Sequence, residues 1–330
     1  MVLLSMMITM LLVTMLTYDP GGGMFLIPNR SGWVKNVKTR IILEPDECVS
    51  RDVAVIIHSH ASDFILRSSQ RKAMKLQDTL KPIFVVFHSK HVQTIELEDE
   101  AKSYNDLLFG DMEESYHNLI YKHVMALRWV KDKCPDNMVI KMDDDIYVNF
   151  PSLLDIVKRN IPKNNPNWMM GLLQLGLPVL RTEDSSKWSV GPQDWSEDFY
   201  PDFLSGWCYV SSSSAVRNIV SQLEEEDSVF WIDDVMITGV VADKRGVERI
   251  SLNSYFTVHK KIMDCCGENN KDEQCDYLVG PTDNNVTLLD SLVNKQTFCH
   301  KSKQCNIATN CDPAALFAMS TDVIGEVMPI

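Results

Sequence analysis

Positive charge is the scarcest resource in this sequence. Over 330 residues, 32 Lys and Arg face 45 Asp and Glu, for a formal net charge of -13. Such a field repels nucleic acid and argues against that partner. A phosphorylated small substrate would then need a metal to bridge it to the acidic groups. Basic residues are also missing from the start of the chain, where Met1 to Thr17 form an uncharged, mostly apolar run and Arg30 is the first cation. The run lies at the short end of the roughly 17 to 25 residues that span a bilayer, and it reads as a signal peptide or a short signal anchor. A buried core helix fits less well, because the run abuts the breaker Gly21-Gly22-Gly23. Arg30, Lys35, Lys38 and Arg40 all follow the run, a distribution that the positive-inside rule sets against a luminal body. Paired C-x-x-C ligands are absent from the tail, which disfavours a zinc site of that kind. Six of the nine cysteines nevertheless fall between Cys265 and Cys311. They read as disulfides formed in an oxidising compartment, with at least one cysteine left over and the connectivity open. Acceptor triplets at Asn29 and Asn285 agree with luminal exposure.

What is present is a set of short β-rich runs, with 45% hydrophobic and 23% charged residues overall, an ordinary globular composition. Val53 to His58 and Ile83 to Phe87 flank a helix-forming stretch from Arg67 to Thr79, which predicts a parallel βαβ unit buried on both faces. Arg67, Arg71 and Lys72 give that helix a basic face, either merely solvated or set to approach a diphosphate. From Ser115 to Lys133 apolar residues recur at helical spacing, and His123 lies on the buried stripe, where a satisfied core histidine is expected. Further elements are predicted as a helix over 152–159 and a strand over 168–173.

The central stretch runs from Met138 to Asn149, an apolar run that stops at Asp143, Asp144 and Asp145. Period-two alternation would put Asp143 and Asp145 on one face and Asp144 on the other. Two carboxylates sharing a face suit a hard divalent cation such as Mg2+ or Mn2+; the plain alternative is an exposed acidic turn. An EF-hand is excluded by the missing Gly at the loop's sixth position. Tyr200 to Val210 forms an aromatic turn running into a strand, able to stack on a sugar or simply to pack in the core. Asp233 and Asp234 open an apolar segment, as helix caps or as acid-base groups. His259 supplies a possible nitrogen ligand.

Taken in order, these motifs resemble a known family. Asp106 to Lys122 is similar to the acidic Ser-Tyr-x-Asn-Leu helix entry of the β-1,3-galactosyltransferase and β-1,3-N-acetylglucosaminyltransferase family of Golgi enzymes, glycosyltransferase family 31. Leu127-Arg128-Trp129-Val130, Cys134, the Asp143 to Asp145 triplet, the Tyr200-Pro201 to Ser211 segment and Asp233-Asp234-Val235 follow in that family's order. Three departures stand out: Ile120 for the usual Thr, Asp233 for Glu, and no Trp near Lys75 to Asp78. The resemblance implies an α/β fold of the GT-A nucleotide-sugar-binding type, with a mostly parallel central sheet and helices on both faces. It further implies an inverting transfer of galactose or N-acetylglucosamine from a UDP-sugar to a glycan on glycoprotein or glycolipid, in β-1,3 linkage. Asp145 and His259 would ligate Mn2+, Asp143 and Asp144 with Arg67 and Arg71 would contact the nucleotide-sugar, and Asp234 would be the general base. The implied setting is the Golgi membrane, single-pass type II, with a luminal catalytic domain. The corresponding division is 1–17 signal segment, 18–50 stem, 51–262 catalytic domain and 263–330 Cys-rich extension. A catalytically inactive luminal protein that keeps the fold and binds glycans or a partner is the competing reading.

Overall fold

A computed structural model describes residues 32–48, 52–75, 80–181, 187–268, 270, 272–302, 305–308 and 311. The apolar run Met1 to Thr17 and the Asn29 acceptor lie outside the described residues. Among those described, no helix is long and apolar enough to cross a membrane.

The apolar runs assemble into one eight-stranded sheet. Its spatial order is Glu248–Ser251, Trp168–Gln174, Phe203–Ser211, Met138–Asp143, Val53–His58, Pro82–His88, Leu107–Glu113 and Ile41–Leu43. Four consecutive strands, from Met138–Asp143 to Leu107–Glu113, are parallel. Phe203–Ser211 runs antiparallel to both of its neighbours, and Ile41–Leu43 closes one edge antiparallel. The α/β class expected from the sequence is therefore the observed one. Parallel strands need cover on both faces, and alternation along each strand supplies the contacts. Ala54, Ile56 and Phe87 enter one apolar cluster with Leu127 and Val220, while Val55, Ile57 and Phe84 enter the other with Met74, Leu97 and Leu153. Phe84 is fully buried, and cutting such a side chain to Ala costs about 3–5 kcal/mol.

The helix entry resembling the family motif is held by polar contacts. Asn118 Nδ2 donates to the Glu113 carbonyl at 2.8 Å, leading through the short turn Tyr116–Asn118 into helix Leu119–Lys133. Lys122, almost wholly buried, donates to Glu114 at 2.5 Å and to the Ser59 carbonyl at 3.1 Å. These bonds pin the helix across the carboxyl ends of two strands.

Two expected boundaries are corrected. The segment given to a stem, 18–50, is built into the fold from residue 32 onward. Trp33 is buried and stacks on Trp195 at 6.3 Å, Val34 pairs with Val229, Ile41–Leu43 joins the sheet, and Cys48 is bonded to Cys134. At the other end, helix Lys260–Glu268 runs through the proposed border at 262, and strand Val279–Pro281 pairs with Ile146–Val148. The cysteines of the tail pair as Cys265–Cys311, Cys266–Cys275 and Cys299–Cys305, which leaves Cys208 as the buried free thiol, its pKa pushed up to about 12 by burial.

Candidate active site

Strand Met138–Asp143 ends at the first carboxylate of the triplet. Asp144 and Asp145 form a turn, and Ile146–Val148 begins at once beyond it. The three acids thus do not share one extended strand, which corrects the simple alternation. Asp143 is partly exposed and accepts from Lys141 Nζ at 2.8 Å. Asp144 is turned inward and buried: its N–H donates to the His58 carbonyl, its carbonyl accepts from Gln70 Nε2, and its Oδ2 has no partner. Burial, with Asp145, Asp63 and Asp143 nearby, raises its pKa to about 7. Asp144 therefore lies beneath the turn and does not present its carboxyl to a bound nucleotide. Burial likewise raises Asp145 to about 6, helped by the charges of Asp143 and Asp283.

Lys141 connects this turn to the second acidic pair. Sitting two residues before Asp143 on the same strand face, it also donates to the Gly206 carbonyl at 2.5 Å. Gly206 N in turn donates to Asp234 Oδ2 at 3.1 Å, and Val235 N donates to Asp234 Oδ1 at 2.9 Å. A Cβ at Gly206 would meet Asp234 Cβ at 3.4 Å and Lys141 Nζ at 3.5 Å, ordinary contact distances, so it is the backbone N–H and carbonyl of this residue that link the two groups. Asp234 opens the helical segment Val235–Val241, so the capping role and the site role coincide. Its carboxyl is raised to about 7 by burial and then by the adjacent charge of Asp233.

Asp233 takes the opposite environment. Its Oδ2 lies 2.7 Å from His123 Nδ1, and His123 Nε2 lies 2.6 Å from the Tyr209 hydroxyl. Burial lowers the His123 pKa and keeps the Tyr209 phenol protonated, so Tyr209 O–H donates to Nε2 and Nδ1–H donates to Asp233. Despite burial, that bond and the charges around it hold Asp233 below the usual carboxylate range. His123 is thus a satisfied core histidine, as expected, and its partner is one of the site carboxylates. Tyr116 and Tyr200 lie within electrostatic reach of Asp234, and both phenols are pushed upward by burial and by that carboxylate. Trp231 packs against Tyr116 at 5.8 Å and His117 at 4.4 Å, giving an aromatic wall beside the pair. Tyr209 is plain core, wholly buried.

Arg67 and Arg71 are corrected. Arg67 is fully buried, and its guanidinium is saturated by Glu100, Ser59 and the carbonyls of His60 and Ala61. Arg71 is paired with Glu100 and Asp106 at 2.7 Å. A helix face that looked basic in sequence is largely a buried ion-pair network: Arg67 has no donor left for a diphosphate, and Arg71 is committed through Nε and Nη2 to Glu100 and Asp106.

His259 follows Thr257, whose N–H bonds the Val279 carbonyl, and Phe256 bridges Val279 in parallel. Strand Val279–Pro281 is antiparallel to Ile146–Val148 on its other side. The topology therefore carries His259 and Asp145 toward the same end of strand Val279–Pro281, on its opposite edges. Among the described residues, no three His, Cys, Asp or Glu side chains form a metal-binding group by themselves. Carboxylate oxygens and one imidazole at one end are still a donor set suited to a hard or borderline divalent cation. Burial is the main cause of the raised Asp145 pKa, and the like charges of Asp143 and Asp283 that add to it are the kind of repulsion a cation relieves.

Sequence reasoning missed Lys141 and Gly206. A lysine interrupting an apolar strand two residues before an aspartate was the available signal for the first. For the second the signal was its place in the Tyr200-Pro201 to Ser211 segment, which follows the family's order.

The curated relatives of this chain are glycosyltransferases by name. Over 223 residues it is 28% identical to the lactosylceramide 1,3-N-acetyl-beta-D-glucosaminyltransferase of Xenopus tropicalis, covering 63% of this chain and 58% of that protein. Over 235 residues it is 29% identical to form B of the Xenopus laevis protein of that name, covering 68% and 59%. Identity to the beta-1,3-galactosyltransferase bre-2 of Caenorhabditis elegans is 24% over 235 residues, covering 67% and 65%. The chain spans less than two thirds of the length of each of these relatives. The galactosyltransferase family profile matches residues 66–253, more than half of the sequence, and that segment carries both acidic motifs; the chain belongs to the galactosyltransferase family.

Proposed function

We propose that this protein is an inverting hexosyltransferase that moves galactose or N-acetylglucosamine from a UDP-sugar to a hydroxyl of an acceptor glycan, in β-1,3 linkage. The observation that carries the reading is Asp234. It is a buried carboxyl aimed by two backbone N–H groups, with its pKa raised to about 7, and it is joined to the acidic turn through Gly206 and Lys141. A base with a pKa near the working pH is what proton abstraction from an alcohol needs. Asp234 takes the acceptor proton as the hydroxyl oxygen forms its bond to the anomeric carbon. The bond from that carbon to the diphosphate oxygen breaks on the opposite side, its electron pair leaving with UDP, and configuration inverts.

Asp143 and Lys141 lie on the donor side, where Lys141 is the buried cation nearest to both acidic groups. Asp145 and His259 would hold a Mn2+ ion, which when bound supplies Lewis-acid stabilisation of the diphosphate charge. The partly exposed Tyr116 and the exposed His117, packed on the buried Trp231, offer flat faces for the acceptor sugar. Placement in the Golgi membrane through the N-terminal run, with a luminal body, belongs to the same proposal and is supported by the disulfides.

The test is Mn2+-dependent release of UDP from a panel of UDP-sugars with simple acceptors, comparing the native chain with Asp234→Asn. Release that depends on acceptor, metal and Asp234 supports the reading. UDP binding without transfer under every pairing would favour the inactive glycan-binding alternative.

A further inference from the structure

Residues 279–285 lie beyond the segment matched by the family profile, yet they abut the acidic turn. The Asp145 carbonyl accepts two hydrogen bonds from one residue there, Thr282 N at 2.8 Å and Thr282 Oγ1 at 2.6 Å. We infer that Thr282 is a positioning residue of the donor site, through which the disulfide-stapled C-terminal extension fixes the turn that presents Asp145. This rests on the proposal above that the turn serves a nucleotide-sugar together with a divalent cation.

Thr282 is fully buried, so its hydroxyl is committed to this carbonyl and not shared with water. The ladder Val279 to Val148, Gly280 to Tyr147 and Pro281 to Ile146 runs out at the turn, and Thr282 supplies its last rung. The same strand spaces the turn from the segment carrying His259. Phe256 and Thr257 bind its other edge at Val279. A Cβ on Gly280 would come within 2.5 Å of Met263 Sδ and 2.9 Å of Thr257 Cγ2, so the close approach of the His259 segment requires glycine there.

The extension is a firm support. Leu288, Leu289 and Leu292 share an apolar cluster with Tyr147 and Ala73 of the main domain, and Lys72 pairs with Asp290 at 2.8 Å. Beyond Thr282 the chain turns through Asp283 and Asn284, both in the left-handed region at φ 48° and 60°, before Asn285 Oδ1 accepts from Leu288 N and starts the helix Val286–Ser302. Two successive left-handed residues that are not glycine persist only where flanking contacts hold them, and Thr282 and Asn285 are those contacts. The turn and the extension are thus fixed against each other. A main-chain carbonyl held by two donors fixes the backbone from which the Asp145 carboxylate projects.

Calorimetric titration of the full chain with UDP, with and without Mn2+, tests this. Thr282→Val removes the hydroxyl and keeps shape and backbone N–H, and is expected to weaken Mn2+-dependent UDP affinity about fivefold while leaving metal-free affinity unchanged. Thr282→Ser is expected to stay within about twofold of the native value. Should the valine variant not fold, serine against Thr282→Ala isolates the hydroxyl in the same way. Equal Mn2+-dependent affinity with and without the hydroxyl overturns the inference alone. A native chain that binds no UDP with Mn2+ overturns the functional reading on which it rests.

Discussion

Asp234→Asn separates the electrostatic role of this residue from its structural one. In the fold the carboxyl is displaced from 3.8 to about 7, so its ionised form carries roughly 4 kcal/mol of unfavourable free energy, mostly from burial and the neighbouring Asp233. Asp233 is held below the usual carboxylate range and stays charged across the neutral region, so its contribution is constant there. Because the folded carboxyl keeps its proton to higher pH than the unfolded one, the cost is absent below 3.8, grows as pH rises and is complete above about 7. Asparagine never pays it. Asparagine does turn one NH2 toward a donor, Gly206 N or Val235 N, and that mismatch costs about 1–2 kcal/mol at every pH. Relative to the native chain, the variant should therefore gain roughly 3 kcal/mol of stability between pH 5 and pH 8. Urea denaturation at several pH values in that range, with slopes compared to verify that the same surface unfolds, reads this directly. Transfer should fall by about 10²–10⁴ in the same protein. A stability difference that does not change with pH would refute the reasoning, because Asp234 would then hold no proton in the range where a base must work.

Arg67→Met should destabilise the fold by about 3–5 kcal/mol in thermal melts by leaving buried Glu100 with Arg71 as its remaining guanidinium and the Ser59, His60 and Ala61 acceptors without their donor, yet leave the UDP affinity of the folded protein unchanged. A large loss of affinity would restore the direct nucleotide contact that the ion-pair network argues against. His123→Val removes the donor to Asp233; its cost should be largest at neutral pH, where Asp233 is charged, and should shrink only as pH falls below the usual carboxylate range, as melts at about pH 7 and about pH 3 would show. Replacing Cys48 and Cys134 together by Ser opens a link across 86 residues and should cost about 2–5 kcal/mol, read from denaturant midpoints under oxidising conditions.

The elements legible in the sequence were those whose signal is local. Val53 to His58 and Met138 to Asp143 announce themselves as strands because each is buried on both faces through its middle and so is mostly apolar, broken only by Lys141 and by the polar residues His58 and Asp143 at their ends. The elements that escaped are short or depend on distant partners. Ile41–Leu43 has three residues and Val34–Lys35 two, too few for any periodicity, and their stability comes from pairing with Leu107–Glu113 and Ser228–Val229. Arg67 and Arg71 looked like a basic face because their counter-charges, Glu100 and Asp106, arrive from the helix Thr94–Tyr104 and the loop after it, some thirty residues onward. By itself the sequence determined the two acidic motifs and the strand-to-turn break that sets the first of them at a carboxyl end, since carboxylate chemistry and β-periodicity are local properties of the chain. Only the tertiary structure decided which carboxyl is charged and which is held near neutrality. That choice between Asp233 and Asp234 depends on His123, Tyr209 and Gly206, brought from separate elements into a buried space where a single hydrogen bond redistributes a proton.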